Sequence, residues 1–314
     1  LSLSLSLSLS LSLWQGHLGA LAADEIDEVV RTQQLYFQRP ADRGYVTDWG
    51  LEFDVWARVL GAPGLNASNL EQRTLYLTEA PLAPAPLQEY GLEMVFEEFC
   101  FGGVCKAPAA AFAARRHCAD AKASAANPAA AACASACVVV DSGFSFTHAL
   151  PFHNGRCLRE GVRRVDVGGK LLTNYLKELV SYRQYNMMDE FMLLNDVKEK
   201  TCYVARDFGA ELRRTRAPPR GELERSYVLP DFQTRMKGFV LPPGCAAADE
   251  NAQALKVENE RFCVPEVLFH PADVGIAQGG LAEAVHAAVQ ACPLPLHAAL
   301  YRNVVLTGGN ARVP

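Results

Sequence analysis

The chain has 314 residues, half of them hydrophobic and 9% aromatic, enough to bury one large core or two moderate ones. A formal net charge of −5 and a pI near 5.9 exclude a general field for nucleic acid or anionic membrane, so either contact would need a local patch. No run of eighteen apolar residues exists, which rules against a transmembrane helix, and the ten cysteines form no CxxC pair, which points to reduced thiols and not to a metal ribbon.

Residues 1–13 repeat Leu-Ser, a two-residue period that suits a strand. Its low complexity argues that residues 1–23 are not native fold, and without a basic region or an unbroken apolar run it makes a poor signal peptide. Residues 53–60 read as a short amphipathic helix with Phe53, Val55, Trp56, Val59 and Leu60 mostly on one side. The alanine-rich run from 107 to 136 predicts a helix, a loop broken at Pro128, and a strand from Val138.

Val138 to Arg156 read as a hairpin: three β-branched residues, an Asp141-Ser142-Gly143 turn, then Phe144, Phe146, His148 and Leu150 alternating with smaller residues. Such a turn can offer backbone N–H groups and a hydroxyl to a phosphate, with Asp141 holding a metal through water. The same tripeptide is also an ordinary hairpin turn. Short apolar runs end in glycine pairs at Gly168-Gly169 and Gly308-Gly309, as strands do where backbone approaches a ligand. Leu171, Leu172, Tyr175, Leu176, Leu179 and Val180 recur at helical spacing and are core. Residues 195–205 predict a helix carrying Lys198 and Glu199, a pair that by itself is ordinary solvated charge. Arg213 to Arg220 form a basic stretch broken by two prolines, read as a solvated loop in preference to a DNA phosphate contact.

Several of these stretches resemble the actin family. VVVDSGFSFTH at 138–148 is similar to its second phosphate loop, NVVLTGGN at 303–310 to its adenosine-side loop, and residues 76–82, 195–205, 259–269 and 275–276 to its common core wording. Residues 23–28, 35–40, 44–49, 227–232 and 237–239 are similar to one nuclear actin-related branch. The resemblance runs from Ala23 to the end. It implies an α/β, two-lobed actin-like fold of the hexokinase and heat-shock-ATPase type with an incomplete first lobe, in which residues 76–82 are a strand and loop and residues 93–101 a helix and strand. Nothing in residues 1–23 matches the family's first phosphate loop, and no segment returns to that lobe after Asn310. The implied divisions are a first lobe at 24–131, an inner part of the second lobe at 132–167 and 277–314, and its outer part at 168–276.

By that resemblance Asp141, Ser142, Gly143, Phe144, Ser145, Thr307, Gly308, Gly309 and Asn310 hold ATP or ADP with magnesium, and Lys198 and Glu199 edge the adenine and ribose. Two departures argue against catalysis. Phe144 stands where actin has a second aspartate, and alanine, near Ala109 in a helix expected at 106–114, stands where actin has its water-orienting glutamine. His148 matches the family's histidine after the hairpin, although a lone strand histidine is usually a hydrogen-bonded core residue. The expectation is therefore no catalytic residue, no direct metal ligand, and nucleotide bound weakly or not at all. The branch resemblance implies a nuclear protein, present also in cytoplasm, that serves as a subunit of a SWR/SRCAP-type chromatin remodeller. That assembly exchanges an ordinary nucleosomal histone for its Z-type variant. The implied partners are the motor subunit and a zinc-HIT-type subunit, with the nucleosome met indirectly and no membrane. The competing readings are an actin-fold ATPase and a cytoskeletal actin-like protein. Residues 206–241, worded for the branch, replace one region of actin's polymer contacts.

Overall fold

The structure, a computed structural model, describes residues 3–5, 12–15, 19–22, 36–61, 69–123, 135–216, 223–231, 235, 237–242 and 252–314. The chain divides into two compact units, residues 1–116 and 117–314. Pro128, where the alanine-rich run is expected to break, lies outside the described residues.

The first unit begins with strands β1 (Leu3–Leu5), β2 (Ser12–Gln15), β3 (Gly19–Ala22), β4 (Tyr36–Gln38), β5 (Ala41–Asp42) and β6 (Tyr45–Val46). Helix α1 (Trp49–Gly61), strand β7 (Thr74–Glu79), helix α2 (Ala85–Glu93), strand β8 (Gly103–Pro108) and helix α3 (Ala109–Ala123) follow. Strands β1, β7 and β8 form a parallel sheet, with Leu3 opposite Leu75 and Leu75 opposite Val104. A separate antiparallel sheet places β2 between β3 and β4. The described parts of the Leu-Ser stretch, residues 3–5 and 12–13, are strands, as a period of two suits.

Asp48 opens α1 by accepting the Leu51 amide at 3.0 Å. Val55, Trp56 and Leu60 are buried as the spacing requires, and the buried Glu52 accepts the Trp56 indole at 2.7 Å. Trp56 and Leu60 pack with Leu75, Leu77, Met94 and Phe101. Two expectations need correction. After α2 the chain stays helical through a wide turn at Met94–Glu98, so the strand starts only at Gly103. Lys106 lies in β8 and not in a helix, since pairing with β7 continues to Glu79 opposite Pro108 and keeps residues 106–108 extended. Lys106 there pairs with Glu79 at 3.0 Å, and Ala109 opens α3.

In the second unit, strands β9 (Ala136–Ser142), β10 (Thr147–His153), β11 (Arg156–Cys157) and β12 (Arg163–Val165) precede helices α4 (Gly169–Arg183), α5 (Phe191–Thr201) and α6 (Phe208–Arg216). Strands β13 (Arg225–Val228), β14 (Phe239–Val240) and β15 (Ala254–Val257) come next, then helices α7 (Glu260–Glu266), α8 (Leu281–Gln290) and α9 (His297–Arg302), and strand β16 (Val304–Thr307). One sheet runs β11-β10-β9-β16, with β12 also on β10. Strand β9 is antiparallel to β10 and parallel to β16, so it is central, and Ala136 to Val140 are all buried. Strands β14-β13-β15 form a second, antiparallel sheet. Leu172, Leu176 and Val180 of α4 join Val138, Leu194 and Val264 in one core.

The basic stretch is not a loop from Arg213. Helix α6 runs to Arg216 and ends two residues before Pro218, because the residue preceding a proline is pushed out of the helical region. Tyr227 is fully buried core. Its hydroxyl donates to the Asp196 carboxylate, which also pairs with Lys200 at 2.7 Å, and Lys200 donates to the Gly238 carbonyl at 3.0 Å. Burial, then Asp196, hold that phenol well above its usual range. Tyr227→Phe is expected to lower stability by about 2 kcal/mol, the loss of a hydrogen bond to a charged group. Urea unfolding would check this, and a midpoint equal to the parent chain's would rule it out.

Candidate functional site

The β9–β10 hairpin places Asp141 and Ser142 at the end of a central strand and Gly143 to Phe146 in the turn. The turn is closed by its own groups: the Gly143 amide donates to the Phe146 carbonyl at 3.0 Å, and the Ser142 hydroxyl lies 2.9 Å from that of Thr147. Thr147 in turn donates to the Val167 carbonyl at 2.8 Å. At the start of α4, the Gly169 amide donates to Gly143 O at 3.0 Å and the Lys170 amide to Phe144 O at 2.8 Å. The glycine pair is required here, because a Cβ at Gly168 would overlap the backbone of Phe144 and Ser145.

Strand β16 delivers the second loop. Thr307 stands opposite Asp141, and Gly308, with φ of 92°, sits so close to the Ser142 carbonyl that a side chain there would overlap it. Asn310 then reaches across, its amide donating to Ser142 Oγ at 3.0 Å and Gly143 O at 2.9 Å. Gly309 has open space around it.

Lys198 departs most from the expectation of a solvated charge pair. It is 4% exposed, and its ammonium donates to Gly169 O at 3.1 Å, Thr173 Oγ1 at 2.9 Å and Asn195 Oδ1 at 2.9 Å. Burial pushes its pKa down, with Glu199 opposing the shift. Glu199 is exposed and accepts Asn195 Nδ2 at 2.7 Å. The structure therefore gathers Asp141 to Ser145, Thr307 to Asn310 and Lys198 around the Gly168-Gly169 bend, with Glu199 at the outer side of Asn195. Thr173, Asn195 and Gly169 hold Lys198 and were not singled out as site residues. The glycine pair was the available signal for Gly169.

Phe144 turns its ring edge-on to Phe191, with centroids 6.0 Å apart. Asp141 is half-buried, and burial raises its pKa. Among the described residues no group of three His, Cys, Asp or Glu side chains could hold a metal ion. The residues present offer the adenosine side of a nucleotide no free group at Lys198 or Gly308: the buried ammonium already donates to three oxygens of the chain, and the Ser142 carbonyl fills the space beside Gly308. They fit a metal-phosphate end poorly, since Phe144 offers no oxygen and the Gly143 amide and the Ser142 hydroxyl are already bonded within the chain.

His148 stands directly opposite Asp141 on β10. It is buried, but its Nε2 has no hydrogen-bond partner among the described residues, unlike the satisfied core histidine expected. Burial and then Arg164 lower its pKa to about 4, against a smaller opposing effect of Asp166. The unfolded chain takes up this proton near pH 6.5 and the folded chain only near pH 4, so stability falls as pH drops through that window. The loss is about 2 kcal/mol at pH 5. Urea unfolding of the parent and of His148→Asn at pH 7 and pH 5 would show it, and an equal pH dependence in both would exclude His148 as the source.

A hairpin with an Asp-Ser-Gly turn, clasped by a glycine-pair loop from a parallel neighbour and by the amino end of a helix, is an actin-class arrangement. The chain belongs to the actin family, whose model, described as Actin, matches residues 19–314. Within the family the similarity is to the actin-related protein 6 branch. Actin-related protein 6 of Drosophila melanogaster is 40% identical over 297 residues, covering 94% of this chain and 73% of the relative. Those of Arabidopsis thaliana and Oryza sativa subsp. japonica are each 37% identical, covering 93% and 94% of this chain and 72% and 74% of the relatives.

Proposed function

We propose that the chain is a non-catalytic actin-related subunit of a SWR/SRCAP-type remodeller, a nuclear assembly that exchanges an ordinary nucleosomal histone for its Z-type variant. In this reading the motor subunit hydrolyses ATP, and this chain binds the motor and a zinc-HIT-type subunit and meets the nucleosome through them. Any ATP or ADP is a structural ligand. The observation that carries the scaffold reading is Phe144. Phosphoryl transfer depends on positioned water and metal, and a phenyl ring packed on Phe191 can hold neither. The assembly itself rests on the similarity to the actin-related protein 6 branch.

The partner surface proposed is the outer part of the second lobe, between Gly168 and Ile276, because a cleft shared with every actin cannot discriminate partners. With Tyr227 buried, the exposed anchors there are Tyr182, Tyr185, Met188, Met192 and Phe239. All but Phe239 fall between the end of α4 and the start of α5. Co-precipitation with the zinc-HIT and motor subunits tests this. Tyr182→Ala with Met188→Ala is expected to lose the partners at least tenfold, while a cleft variant, Gly309→Val, keeps them. Loss in the cleft variant alone would overturn the surface assignment, and capture of neither subunit by the parent chain would overturn the assembly reading.

A further inference from the structure

Helix α6 turns one side to the core and arginine to everything else. Phe208, Glu211, Leu212 and Thr215 share the inner side: Phe208 packs edge-on against Phe262 at 5.6 Å, and Glu211 accepts the Tyr203 hydroxyl at 2.9 Å. Arg213, Arg214 and Arg216 are exposed around the rest of the helix, and Arg206 is exposed in the bend before it. Between them the outer surface carries only Gly209 and Ala210, so no long side chain shields the guanidinium groups. The two acids nearby are occupied. Asp207 caps the helix by accepting the Ala210 amide at 2.8 Å, and Glu211 pairs with Arg214 at 2.9 Å. Arg206, Arg213 and Arg216 make no ion pair among the described residues.

We infer that α6 and Arg206 form a docking face for the phosphate backbone of a nucleic-acid duplex. Guanidinium groups match phosphate oxygens in a fork geometry. Arg213 and Arg216, three positions apart on a helix, have side-chain roots about 5–6 Å from each other, within reach of neighbouring phosphates. The nature of the surface selects the partner. No large apolar side chain is exposed from 206 to 216, so an acidic protein would find only exposed ion pairs, which contribute little without a buried anchor. A nucleic acid needs no anchor, because releasing its counterions drives binding. In a chain of net charge −5 such a contact needs a local basic patch, and this face supplies one. It adds a direct contact to the indirect one proposed above, and it stands or falls with the isolated chain whatever assembly that chain enters.

The test is fluorescence anisotropy of the full chain with a short labelled DNA duplex of arbitrary sequence, between about 50 and 200 mM salt. With three phosphate contacts the slope of log affinity against log salt is expected near −3. Arg213→Glu with Arg216→Glu should weaken binding at low salt at least tenfold and flatten the slope by about 2. Arg302→Glu, an exposed arginine on α9, should change little. The substituted side chains are exposed, and thermal melts by circular dichroism confirm the fold. No binding by the parent chain, or equal binding by the double variant, overturns the proposal. So does displacement of the duplex by polyglutamate at equal charge concentration, which would assign the face to an acidic protein.

Discussion

ATP is expected to bind the full chain with a Kd weaker than about 1 µM, or less favourably than about −8 kcal/mol. The reason lies in where the turn's hydrogen bonds go. The amides of Gly143, Gly169 and Lys170 end on carbonyls of the same loop, and the Ser142 hydroxyl is shared between Thr147 and Asn310. A phosphate would have to displace these bonds before gaining its own. Each charge-assisted hydrogen bond forgone costs about 1.5–3 kcal/mol, so two of them weaken binding by orders of magnitude. Magnesium adds little, because Phe144 offers no oxygen and burial disfavours the charged form of Asp141. Calorimetry with Mg-ATP measures the affinity, and a submicromolar Kd would refute this account. Steady-state phosphate release is expected to be indistinguishable from background. A turnover comparable with actin's, abolished by Asp141→Ala, would restore the enzyme class.

The parts of the fold that could be read from sequence are those whose signals are local. The β9–β10 hairpin announces itself through a β-branched run and an Asp-Ser-Gly turn, and α4 through apolar residues three and four apart behind a glycine pair. The end of α6 was harder, since two prolines drew attention to a loop while Arg213 to Arg216 still had a turn of helix to complete. The helix–strand boundary before β8 was misread for a tertiary reason. Gly102 lies against the Glu71 carbonyl with no room for a Cβ, and that approach places the strand at Gly103.

The site divides in the same way. Asp141 to Ser145 and Thr307 to Asn310 sit in contiguous words and are brought together by one parallel pairing, β9 with β16. Lys198 could not be placed from its neighbourhood in sequence, because Lys-Glu in a helix looks solvated until Gly169 and Thr173 arrive from α4. Its burial, with its three bonds to Gly169, Thr173 and Asn195, is a property of two helices at once. The same holds for Asn310, whose double donation to Ser142 and Gly143 spans more than 160 residues of chain. That reach ties the two loops into one unit and makes Gly308, two positions before Asn310, the most sensitive point of the site.

Gly308→Ala is expected to destabilise the chain by about 4 kcal/mol, and Gly309→Ala by well under 1 kcal/mol. The two glycines are adjacent and look alike in sequence. Gly308 has φ of 92° and ψ of 171°, a region open in practice only to glycine, and its Cβ would overlap the Ser142 carbonyl while lying 2.9 Å from Asp141 Oδ1. The obstacle is backbone at the end of a central strand and not the tip of a flexible side chain, so relief requires β9 and β16 to separate where Thr307 pairs with Asp141. Separation would also break the Asn310 bonds to Ser142 and Gly143, leaving buried polar groups unpaired and adding to the conformational strain. Gly309 adopts no left-handed conformation and meets nothing within 4 Å, so a methyl group there is accommodated. Thermal and urea unfolding of the two variants would separate these effects. Equal stability of Gly308→Ala and Gly309→Ala would mean that the close approach of the two loops is not what holds them together.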